Sequence, residues 1–196
     1  MKKFLVLSGV FSLLVMAGCR KDDSFVDHKA IIDEIFTAGM AWNTQQKAGL
    51  SDDFKSSYPI NISVDQTMAG PAGGYVHVIG SVTGTMNFDD VTYSITGGTM
   101  FLGLTETILD YAFESEGEIY TMNGAPYISL TGTFTLQPGG NTFGTASSIQ
   151  IGGGVEVSGP GRSQTINIDI TININADGSG GNVSGTVDGV PLNYSF

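Results

Sequence analysis

The stretch Thr165-Ile166-Asn167-Ile168-Asp169-Ile170-Thr171-Ile172-Asn173-Ile174-Asn175 decides the fold class. Isoleucine recurs at every second position. A helix would scatter such a series around its circumference, whereas a strand places all five isoleucines on one face. Asn167, Asp169, Thr171 and Asn173 then share the opposite face. One packed face and one wet face is the pattern of an antiparallel sheet.

The same alternation extends through the chain from Tyr58 onward. Val76, Val78, Val82, Met86 and Phe88 form one stripe within Tyr75 to Phe88, and Ile128, Leu130, Phe134 and Leu136 form another. Asp89-Asp90, Asn123-Gly124 and Asp188-Gly189 read as turns. A faint repeat joins Val82-Thr83-Gly84-Thr85-Met86, Leu130-Thr131-Gly132-Thr133-Phe134 and Val183-Ser184-Gly185-Thr186-Val187. By alternation Gly84, Gly132 and Gly185 lie on the apolar face, where a glycine bends a strand or admits close approach.

Upstream the period changes. Ile31, Ile32, Ile35, Phe36, Gly39 and Trp42 fall on one helical stripe, with Asp33, Glu34 and Thr37 off it. Ser24 followed by Asp27 fits a capping box. A helix is expected over residues 24–43, its stripe buried against the sheet.

The chain opens with a secretory signal. Lys2 and Lys3 precede Phe4 to Met16, an uncharged, mostly apolar run too short to span a bilayer as a helix. Met16-Ala17-Gly18-Cys19 follows and resembles the lipobox of bacterial lipoproteins. The resemblance implies cleavage before Cys19, diacylglycerol on its thiol, and acylation of the new amino end by a fatty acid such as palmitate. Arg20-Lys21-Asp22-Asp23 resembles the export tag of surface-exposed lipoproteins in some Gram-negative bacteria. The expected divisions are residues 1–18 as signal peptide, 19–23 as lipidated cysteine and tether, and 24–196 as one mostly β domain.

Cys19 is the only cysteine, so no internal disulfide forms. The net charge is −11, and from Ser56 onward 12 acidic residues face one basic residue, Arg162. Such a surface repels nucleic acid and anionic lipid heads.

Few residues suggest chemistry. His28 and His77 lack metal-site spacing and read as surface histidines. Glu114, Glu116 and Glu118 surround Gly117 and read as a solvated turn. Asn173 to Gly178 partly resembles the start of an EF-hand calcium loop, but Ser184 stands where the bidentate glutamate belongs. Leu192, Tyr194 and Phe196 resemble the closing strand of an outer-membrane β-barrel.

The expected fold is mainly β: an antiparallel curved sheet or open barrel with one N-terminal amphipathic helix packed on it, or alternatively a two-sheet β-sandwich. The expected function is non-enzymatic, without cofactor or metal. It is a binding or interaction module at the cell envelope, lipid-anchored through Cys19 in the outer membrane and displayed at the surface. A protein, glycan or lipid is the expected partner class. The alternatives are a carrier of an apolar ligand within the curved sheet, and a spanning barrel.

Overall fold

The computed structural model describes residues 30–32, 34–35, 57–89, 91, 95–136, 138, 147–175 and 180–195. Cys19, the tether, His28, Phe36, Gly39, Trp42, Phe196 and most of the expected 24–43 helix lie outside the described residues.

Eight strands make one antiparallel sheet: β1 (Ser57–Ala69), β2 (Gly73–Phe88), β3 (Ile95–Ser115), β4 (Glu118–Leu136), β5 (Ser148–Gly159), β6 (Arg162–Ile174), β7 (Gly181–Val187) and β8 (Val190–Ser195). Each pairs with the next, so spatial order equals chain order. The sheet is curved and does not close, leaving β1 and β8 as edges. Pro59 and Pro191 sit in those two strands. A proline withholds an N–H from any added strand, a common protection for edges.

The isoleucine ladder occupies β6. Ile166, Ile168, Ile170, Ile172 and Ile174 are all buried, while Asn167, Asp169 and Asn173 are exposed. One apolar cluster runs from Val64 on β1 to Val187 on β7. A flat single layer would leave both faces wet, so this burial follows from the sheet curling around its inner face. Residues 30–32 and 34–35 are helical, and Ile31, Ile32 and Ile35 are buried in that cluster. This is the expected helix-on-sheet arrangement. The single sheet replaces the sandwich alternative.

Inward glycines accommodate the curl. Gly84 (φ 152°) and Gly185 (φ 137°) adopt backbone angles that L-residues rarely take. A Cβ on Gly84 would overlap the Thr99 carbonyl oxygen, and one on Gly185 the Asp169 carbonyl oxygen. Gly132 has no such angle, but a Cβ there would press on the Ser148 carbonyl.

Two hairpins turn on pairs of left-handed residues, the geometry that matches strand twist. Glu116 and Gly117 (φ 53° and 84°) join β3 to β4, and Asp188 and Gly189 (φ 51° and 76°) join β7 to β8. Asn123-Gly124 is a correction: it is not a turn but lies inside β4. Its polar character serves a bulge in the neighbouring strand β3.

Candidate functional site

In β3, Leu102, Leu104, Glu106 and Ile108 alternate onto the inner face and all are buried. Tyr111 and Phe113 are also buried. Positions 106 and 111 differ by an odd number, so a regular strand would put them on opposite faces. A bulge reconciles them. The β2–β3 register slips between Gly73↔Ala112 and Tyr75↔Leu109. Asp110 lies at that slip with φ 49°. Its N–H donates to Asn123 Oδ1 at 2.8 Å, and Asn123 Nδ2 donates to Asp110 Oδ1 at 3.3 Å. Asn123 thus holds the bulge from the neighbouring strand. The shift in parity brings Glu106 and Tyr111 onto one face, a common use of bulges beside sites.

The Tyr111 hydroxyl donates to Glu34 Oε2 at 2.7 Å. This ties the helix to β3. Burial holds the Tyr111 phenol well above its ordinary titration range, reinforced by the hydrogen bond to Glu34 and by the negative charges of Glu34 and Glu106. Glu34, off the apolar stripe in the sequence, therefore faces the sheet's margin and is half-buried there.

Glu106 is fully buried, and neither carboxyl oxygen has a hydrogen-bond partner among the described residues. Burial pushes its carboxyl well above the usual carboxylate range. Across the sheet Glu106 pairs with Val78 on β2 and Ile128 on β4, and Val78 pairs with Gln66 on β1. Gln66 Oε1 is likewise buried without a partner among the described residues. One row of the inner face thus reads Gln66, Val78, Glu106, Ile128, with three acceptor oxygens lacking donors. Buried polar atoms are nearly always paired, and a cluster of exceptions marks strain or function.

Glu106 belongs to no motif in the sequence. The signal is nonetheless present: a carboxylate occupies an apolar slot of the Leu102, Leu104, Ile108 stripe.

The residues that sequence analysis did weigh lie elsewhere. His77 is on the outer face, with Nε2 2.8 Å from Asp65 Oδ1. Glu114, Glu116 and Glu118 are exposed around the β3–β4 turn. Asn173 and Asn175 are exposed at the end of β6, where the Asn175 N–H donates to the Gly180 carbonyl at 2.9 Å. Asp177 lies outside the described residues. Among the described residues no group of three or more His, Cys, Asp or Glu is placed to hold a metal. No helix among them is long and apolar enough to cross a membrane.

Comparison with protein-family models, with curated proteins and with solved structures finds no match, so what the chain does is argued from this inner-face row alone.

Proposed function

We propose that the chain is a non-enzymatic binding protein of the cell envelope, lipid-anchored through Cys19, that holds a small, largely apolar ligand between its helix and the inner face of its sheet. The observation that carries this reading is the row of unpartnered acceptors, Gln66 Oε1 and both Glu106 oxygens, set in an otherwise apolar face. Ligand sites are typically apolar with a few polar groups that fix orientation. A purely structural core has no use for such atoms, since leaving a buried polar group unpaired costs about 1–3 kcal/mol.

Native mass spectrometry of the mature protein, released from its own membrane in mild detergent, tests the reading. A reproducible added mass that organic solvent removes is the expected result. A clean mass for the lipidated chain alone would sink it. The anchor has its own check: labelled palmitate is incorporated by the wild type and absent from Cys19→Ala.

A second reading, contact with a protein or glycan, draws on the outer face. Tyr75 and Leu109 pair across β2 and β3 and are both exposed, as are Ile79 and, further along the same two strands, Phe101. Loss of intact-cell crosslinks in Tyr75→Ser/Leu109→Ser is its expected signature. The spanning barrel has less support. Strands in lipid must close, with apolar residues outward; here the apolar stripes face inward and the edges stay apart.

A further inference from the structure

All three orphaned atoms on the inner-face row are acceptors. Once Glu106 ionises, what the row lacks is a cation with N–H groups. Tyr111 offers no donor instead, because its hydroxyl proton is directed at Glu34. Arg162, the only basic residue from Ser56 onward, stands exposed at the start of β6. Two carboxyl groups, Glu34 from the helix and Glu106 from β3, act on the same phenol. The strands flanking Glu106 present apolar partners, Val78 and Ile128, and Gln66 beyond Val78 does not titrate. Among the described residues Tyr111, and beyond it Glu34, are the ionisable groups on this side of Glu106, and burial is what disfavours the negative charge of Glu106.

We infer that the inner face binds the primary ammonium group of an aliphatic amine at Glu106, which gives up its proton to bulk water as the amine enters. This rests on the reading of the chain as a carrier and names its ligand class. An ammonium brings three N–H donors and one positive charge. Glu106 supplies two acceptor oxygens, and Gln66 Oε1 is the next along the row. The exchange balances: R–NH3+ enters, the Glu106 O–H breaks, its electron pair stays on the carboxylate, and H+ leaves. Net charge in the interior stays at zero throughout, which avoids burying an isolated ion. A trimethylated amine has no N–H to offer, and a fatty acid brings a further negative charge beside Glu34. Neither fits. The alkyl tail would meet the apolar cluster that the sheet shares with Ile31 and Ile35.

The experiment is calorimetric titration of the full lipidated protein in nanodiscs, with empty nanodiscs subtracted. Hexylamine, hexanol and hexyltrimethylammonium serve as probes, each in two buffers of different ionisation enthalpy. Hexylamine binding with release of close to one proton is expected. Its affinity should rise about tenfold per pH unit while Glu106 is protonated in the free protein, because binding expels that proton. Glu106→Gln should bind hexylamine at least tenfold more weakly and release no proton. The wild-type proton count decides the matter even if that variant folds poorly. Equal binding of hexanol and hexylamine, without proton release, would overturn the amine inference and leave the carrier reading standing. Binding of none of the probes, together with a clean native mass, would overturn both.

Discussion

β6 and β3 are neighbours in kind but not in regularity. From Ile166 onward β6 alternates without interruption, and every inward position is an isoleucine. β3 begins the same way, then accepts a glutamate at an inward slot and a left-handed aspartate four residues later. The first strand is scaffold. The second departs from the rule at the two places that build the site. Local rules of strand patterning are expected to fail where function demands it, and the contrast between these strands singles out Glu106 and Asp110 as the departures to test.

Substitutions can sharpen or break this contrast. The largest effect belongs to the scaffold. Ile170→Ala removes a fully buried side chain and should lower the unfolding free energy by about 3–4 kcal/mol in chemical denaturation; a loss below about 1 kcal/mol would mean that the ladder is not core. Gly84→Ala should follow, at about 2–3 kcal/mol, since it forces a strained φ against the Thr99 carbonyl.

The site strand should respond in the opposite direction. Glu106→Leu fills an apolar slot with an apolar side chain and should raise stability by about 1–3 kcal/mol at neutral pH. The sign follows from the raised titration of Glu106. The folded state holds this proton more tightly than the unfolded chain. Its contribution is full below the unfolded value of about 4.3 and is lost as pH rises through the folded midpoint. The difference between wild type and Glu106→Leu should therefore widen with pH across that window. A flat difference would mean that Glu106 is solvated.

Smaller effects complete the series. Tyr111→Phe removes the hydroxyl that ties Glu34 to β3 and should lower stability by about 1–1.5 kcal/mol, with faster amide exchange in the helix. Asn167→Ala, on the wet face of β6, should change stability by no more than about 0.5 kcal/mol.

The sequence makes β6 legible because its whole structure is local: five isoleucines at period two admit one reading. The helix's buried stripe is legible for the same reason at Ile31, Ile32 and Ile35. The site is only half legible. Glu106 interrupts a visible stripe, so its burial could be inferred. Its companionship with Tyr111 could not. That depends on Asp110 taking a left-handed angle under the grip of Asn123, a partner 13 residues away across a hairpin. Read locally, Asn123-Gly124 suggests a turn, because the pair's usual role and its role here differ only through β3. Glu34 escaped in the same way: its partner Tyr111 lies 77 residues further along the chain.

The strictly sequential order of the strands also governs how the molecule can assemble. Every pairing joins a strand to the one just before it, so no segment need search for a distant partner while the sheet grows. Chains with such near-neighbour pairing form quickly for their size, because little loop entropy is lost at each step. The helix is the exception. It comes first in the chain, yet the Tyr111 it engages arrives only with the third strand. A chain emerging from its amino end must therefore leave Ile31 and Ile35 uncovered until three strands exist to receive them. That interval is when a chaperone would find its clearest handle.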